Sequence, residues 1–474
     1  MSTLLFFGKR MLVSLVFLQA MFALSAQTTM PVPTPQQLTW HDTEFYLFFH
    51  FGPNTFTNVE WGHGTETEDI FNPTDLDCEQ WCRVAKQAGA RGIVITAKHH
   101  DGFCLWPSKY SKHTVRESKW RDGKGDVLRE LSDACRRNGL KFGVYLSPWD
   151  RNHPQYGTPE YNDVYVNTLT ELLTNYGELF EIWWDGANGE GPNGKKQVYD
   201  FHRFEELAAR LQPNAVVFSD IGPGCRWVGN ERGLILTETN WCTLDTAGFQ
   251  RGLGAPHNDT LNRGNENGAH WIPAECDVSI RPGWFYHQEE DNKVKTPDQL
   301  WDIYVHSVGR GANLILNVPP DRRGRIHEND SLSLLAFGEK VRGAFQHNLA
   351  AGKKAIMPEI RADNSKKQNS YLLDGDRSTS EKITPGNKGI QIDLGKKQVF
   401  NAILLREAIA EGQNIQAFKV EVWENGKWHE IARSTTIGAR KILCFPEHKS
   451  RKIRITVEAS KKAPALSEVE VYKI

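Results

Sequence analysis

Between residues 41 and 350, short apolar runs alternate with stretches whose apolar positions recur every three to four residues. The apolar runs are EFYLFFHFG (44–52), RGIVITAKHHDGF (91–103), KFGVYLSPWD (141–150), LFEIWWDG (179–186) and NAVVFSD (214–220), followed by GWFYH (283–287) and ANLILNV (312–318). Runs rich in aromatic and β-branched residues, with little polar alternation, predict strands buried on both faces, as in a parallel sheet. Helical periodicity falls between them, over 73–90, 126–139, 161–177, 201–213 and 297–309. About eight strands in roughly 300 residues predict an α/β fold of the (β/α)8-like TIM-barrel type. An open doubly wound sheet is the alternative, but no GxGxxG turn follows the first strand, and polar residues cluster at the C-terminal ends of many strands.

After Lys353 the period changes to two. GIQIDLG, AILLRE, FKVEVWENGKWHEIA, RKIRITVEA and EVEVYKI alternate apolar and polar positions, and Asn425-Gly426 is a hairpin-turn signal. The expected organisation is a barrel over 27–352 followed by a C-terminal antiparallel β-sandwich over 353–474. Two long stretches, 187–200 and 221–282, read as loops, and loops of that length in a compact domain are usually functional.

Residues 1–26 carry Lys9 and Arg10, an apolar run and then small residues. That order predicts a secretory signal peptide cleaved near Ala26, hence a periplasmic or secreted protein. No later apolar run is long enough to span a bilayer, so no membrane span is expected in the mature chain. The formal net charge of −1 gives no electrostatic footprint for nucleic acid or an anionic membrane. The eight cysteines show neither a dense framework nor a CxxC pair, which predicts free, buried thiols. The 15 tryptophans fit large cores, and equally a sugar site, because aromatic faces stack on the apolar faces of pyranose rings.

In a barrel the C-terminal strand ends converge on one mouth. Those ends carry His50, then His99-His100-Asp101, Tyr145 with Trp149-Asp150, and Trp183-Trp184-Asp185. The following loops supply Glu60-Trp61, then Arg226, Trp227 and Glu231, and later Glu275, Asp277, Arg281 and Trp284. The mouth is thus lined with histidines, tryptophans and carboxylates, and carries no lysine or serine nucleophile motif.

HFGPNTF, AKHHDGF, WWDG and LILNVPPDRRGRI (314–326) resemble glycoside hydrolase family 29, the α-L-fucosidases. RWVGNERG and ECDVSIRPGWFYH resemble its branch selective for α-1,3/4-linked fucose, and the tail more weakly resembles a discoidin (F5/8 type C) module. The resemblance covers roughly residues 37–350 and implies a retaining mechanism with Asp185 as nucleophile. It implies Glu231 as acid/base, with Glu275 and then Glu238 as alternatives. By the same resemblance His50, His99 and His100 bond the fucose hydroxyls, and Glu60 and Trp61 contact the ring. Trp183 lines the site, Trp284 lies near the fucose methyl, and Tyr145, Arg226, Asp277 and Arg281 complete the substrate contacts. Asp101 is expected to orient a histidine.

The implied partners are fucosylated oligosaccharides or glycoproteins, with no cofactor. Asp374 and Asp376 in LLDGDRST could supply oxygens to a structural calcium, although they are also ordinary turn residues. Three other readings stand beside this one. They are an α-L-fucosidase without linkage preference, a metal-dependent barrel hydrolase using His50, His99, His100, Asp185 and Asp220, and a glycan-binding protein without catalysis.

Overall fold

The computed structural model describes residues 30–357, 367–369, 371–383 and 389–474. The leader expected over 1–26 lies outside the described residues.

Eight parallel strands close a barrel. They are β1 (Phe45–Phe49), β2 (Gly92–Lys98), β3 (Lys141–Leu146), β4 (Glu181–Trp183), β5 (Val216–Ser219), β6 (Cys225–Trp227), β7 (Ala274–Ser279) and β8 (Asn313–Asn317). Each pairs with its neighbours in chain order, and β1 closes the ring against β8, with Phe45 opposite Leu314. The pleat sorts side chains between two cores. Tyr46, Phe48, Val94, Tyr145, Trp183, Phe218 and Ile315 fill the barrel interior. Phe45, Leu47, Phe49, Ile93 and Ile95 face the surrounding helices.

Among the described residues, the α-helices of seven or more residues are α1 (Pro35–His41), α2 (Cys78–Ala88), α3 (Val127–Asn138), α4 (Tyr161–Asn175), α5 (Phe201–Leu211), α6 (Pro297–His306) and α7 (Glu328–Ala344). Asp77, Asp126 and Asp200 cap α2, α3 and α5 by accepting backbone N–H bonds, the expected role of a short carboxylate at a helix start. Helix α7 packs so closely on α2 that a Cβ at Gly338 would lie 2.5 Å from the Ala88 carbonyl oxygen.

Two strand assignments differ from the sequence expectation, and helix α7 was not expected. GWFYH (283–287) is not a strand, and the seventh barrel strand is AECDVS. Glu275 and Asp277 face inward there while Cys276 and Val278 pack on the helices, so polar inward positions hide the strand from an apolar-run criterion. The sixth strand, β6, begins only six residues after β5 ends, inside what read as a loop.

The C-terminal region forms an antiparallel β domain with its own apolar core, including Ile392, Leu405, Phe418, Val420, Ile453 and Val469. Its hairpin pairs Trp423 with Trp428 across Asn425 and Gly426, both at positive φ, as a two-residue hairpin turn requires. It docks on the barrel through polar contacts such as Cys242 N–H to Gln413 at 2.7 Å. Asp374 and Asp376 accept bonds from their own turn, from the N–H of Asp376 and of Ser378. All eight cysteines are free, and seven are buried; Cys444 is exposed, against expectation. Among the described residues, no helix is long and apolar enough to cross a membrane.

Candidate active site

The strand ends enclose a cavity of about 270 Å³. It is lined by His50, Glu60, Trp61, His99, His100, Tyr145, Trp183, Asp185, Asp277, Trp284 and Glu231 among the expected residues, and also by Phe48, Phe218, Asp220 and Trp227. It is small and largely aromatic, with a few converging polar groups, as expected of a site for one small polar molecule.

Asp185 follows β4 by two residues. Its Oδ2 accepts the Tyr145 hydroxyl at 3.0 Å and lies 3.8 Å from His100 Nε2, while its Oδ1 accepts the Ala187 N–H at 2.8 Å. Burial and the adjacent Asp185 charge raise the Tyr145 phenol well above its ordinary value, so it stays a neutral donor. The turn after Asp185 passes so close to Asp220 that a Cβ on Gly186 would lie 2.0 Å from Asp220 Oδ2. Burial and the Asp185 charge push Asp220 up to about 6.

The histidines are neutral. Burial lowers His50 to about 3, His100 to about 4 and His99 well below its usual value. Their tautomers follow from their partners. Asn317 Nδ2 donates to the Trp284 carbonyl at 2.7 Å, which fixes the amide so that its Oδ1 accepts from His50 Nδ1 at 2.9 Å. Ser147 Oγ donates to the Trp149 carbonyl at 2.8 Å and therefore accepts from His100 Nδ1 at 2.8 Å. Both rings are left with Nε2 as an acceptor, suited to a hydroxyl donor.

Trp183 stacks on Phe218 with 3.9 Å between centroids and 9° between planes, forming a flat apolar wall. Trp184, its neighbour, points outward against Phe201 and Phe204, because adjacent strand residues face opposite sides. Glu60 accepts the Trp284 N–H at 2.8 Å and faces His287 Nε2 at 2.5 Å, which ties its loop to the one after β7. Trp284 Nε1 donates to Glu231 at 3.3 Å, and Trp227 Nε1 to Asp277 at 2.9 Å. Burial and the Glu231 charge raise the Asp277 carboxyl well above its ordinary value. Trp61 is exposed at the rim, edge-on to His100 and Trp149.

Other expected site residues lie elsewhere. Glu275 is fully buried inside the barrel, where it accepts from Trp183 Nε1 at 2.8 Å and from the Tyr46 hydroxyl. It enters β7 near its start, one layer below the mouth. Arg226 points away from the barrel axis between inward Cys225 and Trp227, and bonds the carbonyls of Leu261, Ile272 and Trp241. Arg281 pairs with Asp330 at 2.8 Å and Asp291 at 3.0 Å beneath the loop after β7. Glu238 pairs with Arg310 and Lys441 at the junction with the C-terminal domain. Asp101 accepts the Phe103 N–H at 2.7 Å, and burial pushes its carboxyl up to about 6 against the opposing influence of His113. Among the described residues, the one group with metal-ligand spacing is Glu181, Cys225 and Glu275, below the mouth.

Comparison with known proteins agrees with this geometry. Residues 25–343 match the family model described as alpha-L-fucosidase, and residues 359–470 match the F5/8 type C domain. The chain belongs to the α-L-fucosidase family.

It is 41% identical over 450 residues to Alpha-L-fucosidase 1 of Arabidopsis thaliana, covering 94% of this chain and 88% of that protein. A glycoside hydrolase 29 family member from an unknown rumen bacterium is 43% identical with a TM-score of 0.81, over 94% of this chain and 78% of that one. A Ruminococcus gnavus family 29 fucosidase, solved in complex with fucose, is 32% identical with a TM-score of 0.84, over 94% and 95% of the two chains. Within the matched stretch, HFGPNTF supplies His50, AKHHDGF supplies His99 and His100, and LILNV supplies Asn317, which sets the His50 ring. Sequence reasoning passed over Asn317 because its role is felt only through His50. The signal available was a polar residue ending an otherwise apolar strand.

Proposed function

We propose that the protein is an exo-acting, retaining α-L-fucosidase that removes terminal α-1,3/4-linked fucose from branched glycans after export from the cytoplasm. The observation that carries the reading is Asp185, a carboxylate held by a phenol and a backbone N–H at the end of an aromatic, one-sugar cavity.

Asp185 attacks the anomeric carbon, and the leaving oxygen takes a proton from Glu231, forming a glycosyl-enzyme ester. Glu231 then takes a proton from water, which attacks the same carbon and frees Asp185. Two inversions give net retention. His50 and His100 accept hydrogen bonds from sugar hydroxyls at Nε2, and Trp183 stacks on an apolar face of the ring. Glu231 stands at the exposed rim, where an aglycone would leave. Trp284 orients its carboxyl, and Trp61 and Trp227 border the same opening. Linkage preference rests on this rim, which meets the neighbouring sugar.

The test is fucose release from a Lewis-type branched trisaccharide, 2′-fucosyllactose and an aryl α-L-fucoside, with the first-formed anomer read by proton NMR. Strong release from the trisaccharide alone, as the α anomer, is expected. Comparable release from all three removes the linkage claim, the β anomer removes retention, and no release favours a glycan-binding protein.

A further inference from the structure

On the opposite face of the barrel from the mouth, where β1 begins, a second cavity of about 420 Å³ lies between the barrel and the C-terminal domain. Glu44, the residue before β1, is buried there with φ of 55°, a left-handed conformation that a glutamate adopts only when its surroundings impose it. Three arginines of the C-terminal domain converge on it: Arg440 at 2.6 Å, Arg406 at 2.7 Å and Arg377 at 3.2 Å. Burial alone would raise the Glu44 carboxyl, but these guanidiniums hold it well below the usual carboxylate range.

One carboxylate does not balance this cluster. Arg91 and Arg342 also line the cavity, and their bonds go to the backbone carbonyls of Asp42 and Gln87. Against five arginines the lining holds two carboxylates, Glu44 and Glu470, with Asp42 3.7 Å from Arg377 just outside. The Nε–H groups of Arg406 and Arg440 are buried and have no acceptor among the described residues. Arg91, Arg342 and Arg377 stand exposed at the cavity's edge, but Arg406 and Arg440 are buried, and an unsatisfied guanidinium N–H away from water is costly. This cavity has buried donors to spare and further guanidiniums at its edge, with Tyr304 and Phe345 flanking Arg440 as apolar walls.

We propose that this cavity is a binding site for a tetrahedral oxyanion, sulfate or phosphate, taken up as the free ion or as an ester group on a glycan. Guanidinium forks match oxyanion geometry, and the surplus N–H groups of Arg406 and Arg440 are its buried donors. The site is separate from the fucose pocket and does not rest on the hydrolytic reading.

The experiment uses the full chain at constant ionic strength, with unfolding temperature and titration calorimetry read against sodium sulfate, sodium phosphate and sodium chloride in the millimolar range. Sulfate or phosphate is expected to raise the unfolding temperature saturably, with measurable heat, while chloride does not. Arg377→Ala and Arg342→Ala, both at exposed positions, each remove one positive charge. Each is expected to weaken the ion about tenfold while leaving aryl fucoside turnover unchanged. A sulfated oligosaccharide that competes with the ion, where its unsulfated parent does not, assigns the ester as source; competition by neither assigns the free ion. A response that chloride reproduces, absence of heat, or an undiminished response in both variants overturns the proposal.

Discussion

The Tyr145 hydroxyl donates to Asp185 Oδ2 at 3.0 Å across the join between β3 and β4. A phenol bonded to a carboxylate fixes its orientation, which nucleophilic attack needs. Hydrogen bonds to charged groups contribute about 1.5–3 kcal/mol, so Tyr145→Phe should lower kcat/KM by about 10- to 100-fold. The check is turnover of an aryl α-L-fucoside, with near-ultraviolet circular dichroism confirming the fold. A twofold loss or less would show that Ala187 N–H alone suffices.

Asp185→Asn keeps the shape and the Ala187 contact while removing the nucleophile. Turnover should fall by at least about 10³-fold, in line with losses seen when a covalent nucleophile is deleted. Fucose binding, followed by calorimetry, should persist, because the histidines and Trp183 are untouched. Retained turnover would remove Asp185 from the chemistry.

Glu231→Gln separates the two half-reactions. A general acid contributes about 10²–10⁴-fold where the leaving group needs a proton, and little where it does not. Activity on a branched oligosaccharide should therefore collapse, while an aryl fucoside with an acidic phenol should still form the glycosyl-enzyme and release phenol in a burst. Equal losses on both substrates would move the acid role elsewhere, and Asp277, buried beside Glu231 and raised above the normal carboxylate range, is the group to test next.

The barrel was legible because its strands are apolar on both faces, and the place of Asp185 because it directly follows the apolar run LFEIWW at a strand end. What misled was direction. Arg226 lies between Cys225 and Trp227 on β6, and only the pleat decides which of the three look inward; nothing local to CRW says so. Glu275 and Asp277 share the inward face of β7, but one is a layer deeper, and depth depends on the stagger between strands. Arg281 sits in a motif rich in pocket residues, yet its partner Asp330 is 49 residues later on α7, a helix that weak apolar periodicity concealed.

That misplacement has a measurable consequence. Arg281 and Asp330 form a fully buried pair, with Arg281 also holding Asp291 and the His287 carbonyl. Removing one member leaves an uncompensated buried charge, which typically destabilises by about 3–5 kcal/mol. Arg281→Met should lower the unfolding free energy read from urea denaturation by that much, while KM for the folded fraction changes little. A raised KM with unchanged stability would return Arg281 to the substrate.

Asp220 gives the site a second titration. Its carboxyl is pushed from the ordinary 3.8 up to about 6 by burial and by the Asp185 charge, so within that window the folded protein holds a proton that the unfolded chain has released. Stability therefore falls as pH rises wherever the native state binds more protons, and the contribution of Asp220 is lost between 3.8 and about 6. Asp220→Asn lacks that proton linkage, so its stability relative to the parent should improve as pH rises through the window. Urea denaturation of both proteins at the two ends reads this difference, and all other groups cancel. Above about 6 the ionised Asp220 also places a second negative charge beside Asp185. The free-enzyme kcat/KM profile should accordingly carry an inflection near that pH, and the variant should lack it. An inflection unchanged in Asp220→Asn would assign the titration to another pocket carboxyl.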